Sequence, residues 1–222
     1  MKEEDLIEAL RGLKTQLEFY QEIGVEFLLS PAEPEKPSQK PSQGLIELSS
    51  LPESASEDPA EWEALIKKIL SCRFCPLYKT RTQAVPGEGN RKAKLMFVGE
   101  APGRDEDLQG RPFVGRAGQL LTKIIQAMGF SRDEVYIANV IKCRPPENRT
   151  PKPDEIKACS PYLLKQIELI RPKVIVALGK VAAEFLLQTS KSMSEIRGSF
   201  GEFQGIPVMP TFHPSYLVRN EG

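Results

Sequence analysis

The chain has one histidine, one tryptophan and four cysteines in 222 residues. No apolar run in it approaches the roughly 18 residues that a membrane-spanning helix needs. Its first ten residues, MKEEDLIEAL, are acidic and lack the apolar stretch of a secretory signal. These absences argue against a membrane protein and against an exported scaffold stapled by disulfides. The expected location is the cytoplasm, beside the nucleoid if the partner is DNA. Thiols stay reduced there, and cysteines serve more often as metal ligands than as disulfides.

The formal net charge is zero, and that balance hides a split. Residues 1–61 carry 5 Lys and Arg against 14 Asp and Glu, whereas residues 62–222 carry 25 against 16. The basic part suits a polyanionic partner such as nucleic acid, although ordinary surface charge is the plainer reading. At 40% hydrophobic residues the chain can bury one sizeable core and still carry an appendage.

Along the chain three segments differ in texture. Over residues 1–29, Leu6, Leu10, Leu13, Leu17, Tyr20 and Phe27 recur at spacings of three and four. They predict an amphipathic helix that either binds a protein partner or folds back on the domain. Residues 30–61 hold six prolines among Ser, Gln and Glu, which predicts an extended tether. From Trp62 to Gly222 the pattern is that of a compact α/β domain.

Four apolar runs there, Lys94–Gly99, Val135–Ile141, Val174–Gly179 and Pro207–Phe212, read as buried parallel strands. Helical stretches at Gly118–Met128, Pro153–Ile170 and Lys180–Gln188 separate them, and a further helix is expected at Trp62–Leu70. The alternation predicts a four-stranded parallel sheet between two helix layers, an α/β/α sandwich. Ligands bind such sheets beyond the carboxyl ends of the strands. Those ends carry Gly99-Glu100-Ala101-Pro102-Gly103, Asn139 and His213-Pro214-Ser215.

Cys72 and Cys75 form a C-x2-C pair, and Cys143 and Cys159 are the remaining two thiols of the same domain. That set can close around one metal centre. Spacing does not choose between zinc and an iron–sulfur cluster, and four unrelated buried thiols are the alternative.

Taken together, Gly99–Gly103, the run Gly110-Arg111-Pro112-Phe113-Val114-Gly115, Asn139 at a strand end, His213-Pro214-Ser215 and the four cysteines resemble the type-4 uracil-DNA glycosylases. The resemblance covers about residues 62–222. It implies a [4Fe-4S] cluster on Cys72, Cys75, Cys143 and Cys159, no nucleotide cofactor, and hydrolysis of the uracil–deoxyribose bond in single- or double-stranded DNA. It also implies roles for the motif residues. Phe113 offers a face on which an extruded base stacks, and Asn139 reads the edge of uracil. His213 stabilises the leaving anion, and Glu100 belongs to the water-binding motif. Gly99, Ala101 and Gly103 line the pocket, and Glu106 borders the C5 edge of the base. Arg144, Arg149, Lys152, Ser215, Leu217 and Arg219 are expected to touch DNA.

The match has departures. Ala101 stands where better-known relatives carry a water-activating carboxylate. The family pattern continues with a further helix past Gly222. Cys143 leads quickly to Cys159, without the long basic insertion of relatives that bond covalently to DNA. Two other functions compete on the sequence alone: a DNA-binding adaptor that has lost catalysis, and a glycosylase for another deaminated base.

Overall fold

The structure, a computed structural model, describes residues 59–220. The amphipathic helix expected within residues 1–29 and nearly all of the tether expected over 30–61 lie outside the described residues. The first described helix, α1 (Pro59–Ser71), starts three residues before the expected domain boundary. Proline suits that start, because the first turn of a helix has no use for its missing N–H. Trp62, Leu65 and Ile69 recur along one face of α1, and all three are buried.

Six strands form one sheet: β1 (Glu88–Gly89), β2 (Leu95–Gly99), β3 (Tyr136–Asn139), β4 (Val174–Leu178), β5 (Gly201–Phe203) and β6 (Ile206–Thr211). Their order is β1-β3-β2-β4-β6-β5. The expected four-stranded sheet is therefore corrected to six. Strands β3, β2, β4 and β6 pair in parallel, and β1 and β5 add antiparallel edges. The edges are two and three residues long, too short for any periodicity to reveal them. β5 turns into β6 through Gln204 and Gly205, whose φ angles of 50° and 81° make a two-residue hairpin of the twist that strands favour.

The remaining helices are α2 (Arg104–Gln109), α3 (Arg116–Ala127), α4 (Pro153–Ile170), α5 (Lys180–Leu187), α6 (Met193–Ile196) and α7 (Pro214–Arg219). Side chains alternate across the strands, so the sheet feeds two cores. Met96, Val98, Ala138, Ile175 and Ala177 meet α1, α4 and α5 on one face. Phe97, Ile137, Val176 and Leu178 meet Leu121 and Ile125 of α3 on the other. Each fully buried Val, Leu, Ile, Met or Phe among them contributes about 1.5–3 kcal/mol. Among the described residues, no helix is long and apolar enough to cross a membrane.

The chain leaves β2 toward β3 on one side and later returns to β4 on the other. That reversal opens a crevice beyond the carboxyl end of β2, where a ligand can enter between diverging connections.

Candidate active site

Gly99 ends β2 and is registered beside Asn139, the last residue of β3. A Cβ at Gly99 would stand 2.5 Å from both Oδ1 of Asn139 and Cζ of Phe113. Only a residue without a side chain lets these two groups close over the strand end. Asn139 is 1% exposed. Its Oδ1 has no hydrogen-bond partner among the described residues, so it is a buried acceptor available to a ligand.

Phe113 reaches this point through an unusual backbone, with φ of 51°. That left-handed region is disfavoured for a bulky residue and must be held by its surroundings. Opposite charges hold it from two sides. Arg132 donates from Nη2 to the Pro112 carbonyl at 2.8 Å and from Nη1 to the Phe113 carbonyl at 3.1 Å. Oε1 of Glu106 accepts from the N–H groups of Val114 and Gly115 at 2.8 and 3.0 Å. Oε2 of Glu106 accepts from Gly103 at 3.1 Å, so one carboxylate ties the strand-end loop to the phenylalanine loop. Glu106 thus braces loops here.

His213 follows β6 and sits beside Phe113, with ring centroids 5.6 Å apart and planes 30° apart. Its close approach depends on Gly179 at the end of β4, where a Cβ would meet that of His213 at 2.9 Å. Nδ1 of His213 accepts from the Ser215 backbone N–H at 3.1 Å and lies 2.7 Å from the Ser215 hydroxyl. Burial, then the charge of Arg219, push the imidazole down to about 4, against the opposing pull of Glu106. The ring is therefore neutral at ordinary pH. Glu100 follows Gly99, and burial raises its carboxyl above the usual range.

Cys72, Cys75, Cys143 and Cys159 line one pocket together with Arg81 and Tyr162. Arg81 donates to Sγ of Cys143 at 2.8 Å, and the Lys142 N–H donates to Sγ of Cys159 at 3.2 Å. Burial pushes the Cys159 thiol up to about 12 and raises Cys75 and Cys143 as well. Thiolates there need a compensating cation. Among the described residues, no three Cys, His, Asp or Glu side chains are grouped to hold a single ion. Lys142 joins the two regions. Its buried amine donates to the Asn139 carbonyl at 2.8 Å and to Gln166 at 2.6 Å.

The residues expected at DNA divide into two groups. Arg149 gives its guanidinium to both oxygens of Glu155, at 2.7 and 2.8 Å, and Arg144 gives Nε to Asn148. Ser215 faces His213, as described. Lys152 and Arg219 are exposed, and Leu217 is half-buried on α7. Sequence reasoning missed Arg132, Glu88 and Lys142 altogether. Only the position of Lys142 next to Cys143 signalled it.

The family profile described as the uracil DNA glycosylase superfamily matches residues 86–222. The type-4 uracil-DNA glycosylase of Thermotoga maritima is 52% identical over 160 residues, 71% of this chain and 83% of that protein. The type-4 enzyme of Archaeoglobus fulgidus is 48% identical, over 69% of this chain and 81% of that protein. A type-5 uracil-DNA glycosylase of Pyrobaculum aerophilum is 30% identical, over 74% of this chain and 87% of its own. Higher identity to the type-4 proteins agrees with the strand-end residues and the cysteine set, and this chain belongs to the type-4 uracil-DNA glycosylases of the uracil-DNA glycosylase superfamily.

Proposed function

We infer that this chain, a uracil-DNA glycosylase that works in DNA repair, releases uracil with the neutral imidazole of His213 facing the departing base. One observation carries the reading: the Ser215 N–H points at Nδ1 of His213. A backbone amide can only donate, so Nδ1 is an acceptor and the ring hydrogen sits on Nε2. That N–H is the donor left for a ligand.

The remaining roles follow from the geometry. A uracil extruded from the duplex stacks on Phe113, a contact worth roughly 1–3 kcal/mol. The unpartnered Oδ1 of Asn139 accepts from uracil N3–H, and the amide nitrogen donates to O4. Cytosine presents the reverse pattern and would leave the buried amide mispaired. Water adds to C1′ of the sugar while the C1′–N1 bond breaks and its electron pair leaves with the base. The proton that the water loses passes to solvent, which later protonates the released uracil anion. The charge gathers on O2, where Nε2–H of His213 donates. Such a donor contributes about 2.7–4 kcal/mol in the transition state. Glu100 orients the attacking water. Glu106 acts on the C5 edge of the pocket through the two loops that it ties. No feature of the site favours an inactive adaptor or another deaminated base.

The four cysteines are assigned to a [4Fe-4S] cluster. Four thiols that line one pocket can give one sulfur to each iron of such a cluster, and the type-4 relationship favours it over a zinc ion. Hydrolysis transfers no electrons, so the group supplies a cross-link from the segment before β1 to the loop after β3 and to α4. Exposed Lys152 and Arg219 are assigned to phosphates and Leu217 to the stack vacated by the base. Arg144, Arg149 and Ser215 act on DNA by shaping its loops.

The test is single-turnover cleavage by His213→Ala. The rate on a uracil oligonucleotide should fall about a hundredfold or more, with little change in DNA affinity. A folded, iron-bearing variant that cleaves at nearly the unaltered rate would place the donor elsewhere.

A further inference from the structure

Arg132 stands outside every motif, in the segment just before β3. All three of its guanidinium nitrogens are engaged. Nη1 reaches the Phe113 carbonyl and Thr122 Oγ1, each at 3.1 Å, and Nη2 reaches the Pro112 carbonyl at 2.8 Å. Nε and Nη2 also meet Oε1 of Glu88 at 3.2 Å. Glu88 lies in the edge strand β1, which is registered against Ile137 of β3. The Glu88 carboxylate holds Arg132 on one oxygen and takes Nε of Arg111 at 2.6 Å on the other. The strand that sequence periodicity missed therefore supplies the anchor of this fork.

The fork meets the chain at the point of greatest backbone strain in the site. Phe113 has φ of 51°, and a residue with a Cβ is normally excluded from that region at a cost of about 1–3 kcal/mol. Its carbonyl also sits directly against Gly118 of α3, where any Cβ would collide with it. A right-handed or extended backbone at Phe113 would turn the ring away from Gly99 and His213. Two parallel N–H donors in a rigid plane fix adjacent carbonyls, and a lysine ammonium cannot reproduce that.

We propose that Arg132 is the positioning residue that locks Phe113 in its left-handed conformation and so sets the base-stacking face of the uracil pocket. The proposal rests on the reading of Phe113 as that face. Arg132 touches no substrate and acts only through the Pro112–Phe113 carbonyls.

The experiment is a double-mutant cycle on the full chain with its iron bound. Arg132→Met and Arg132→Lys are each made alone and with Phe113→Ala, and single-turnover cleavage of a uracil oligonucleotide is followed against DNA concentration. Each Arg132 variant alone should lower the rate at subsaturating DNA about tenfold or more, the scale of a lost stacking contact. In the Phe113→Ala background the same substitutions should cost less than about twofold, because residues that act through one another are not additive. Arg132→Lys keeps a charge beside Glu88, so it serves as the test if Arg132→Met does not fold. Full activity of Arg132→Lys, or effects that multiply in the double variant, would overturn the proposal. Full activity of Phe113→Ala alone would overturn the stacking reading first, and the positioning role with it.

Discussion

The position that a Cβ on Gly99 would occupy lies 2.5 Å from Oδ1 of Asn139, closer than such atoms approach. The Asn139 amide, proposed to read the base, is therefore seated against bare backbone at the end of the neighbouring strand. Gly99→Ala should push Asn139 and the Phe113 ring out of place at once. Uracil release should fall by at least about a hundredfold, since sub-ångström placement governs both grip and chemistry. Circular dichroism should show a folded protein, because only the strand end is disturbed. A folded Gly99→Ala protein with unaltered cleavage would remove Asn139 from the pocket.

Asn139→Asp separates reading from packing. The carboxylate keeps the size of the amide and loses its donor, so O4 of uracil meets an acceptor. Cleavage of uracil should drop by roughly a hundredfold, the cost of an unpaired polar group in a buried site. An assay across uracil and cytosine oligonucleotides measures it. Equal cleavage of uracil by Asn139→Asp would show that another group reads the base.

His213 is the sole histidine, so its ring can be titrated alone by NMR. Burial first, and the Arg219 charge second, hold it at about 4 in the folded protein. An unfolded histidine titrates at about 6.5. The folded state thus binds fewer protons, and this contribution is complete above about pH 6.5. It is lost as the pH falls toward 4, by up to about 3 kcal/mol. Arg219→Ala should raise the ring's midpoint. A folded-state midpoint at or above the pH of the cleavage assay would contradict a neutral imidazole during catalysis.

Protein purified without oxygen should be brown and contain about four irons per chain. Cys159→Ser should lose that colour and lower the thermal midpoint, because the cross-link between Cys72–Cys75 and α4 is gone. A colourless preparation with one zinc per chain would refute the assignment.

A chain that begins at Asp58 should keep its single-turnover rate within about tenfold, or 1.4 kcal/mol of barrier. Ile69→Ala, by contrast, removes a fully buried side chain of α1 and should cost about 2–5 kcal/mol in denaturant unfolding. A larger loss of rate on truncation would place residues 1–57 in the site.

The amino-acid sequence by itself determined the four parallel strands, α4 within its observed bounds, and the residues at the strand ends. Each depends on local pattern. Val174–Leu178 is apolar throughout because both its faces are buried, and Asn139 and His213 stand out because polar residues end apolar runs. The same locality explains the α1 start at Pro59, which looked like one more proline of the tether. Only the tertiary structure decided what holds those residues in place. Glu88 and Arg132 are 44 positions apart, and singly each reads as ordinary surface charge. Glu106, expected at the C5 edge of the base, also bridges Gly103 to Val114 and Gly115 through its carboxylate. Ser215, expected at DNA, fixes the tautomer of His213 two residues away. A hydrogen bond depends on distance and direction between groups that folding brings together. Periodicity records only which side of an element faces the core, so the candidate groups at the strand ends were legible and their braces were not.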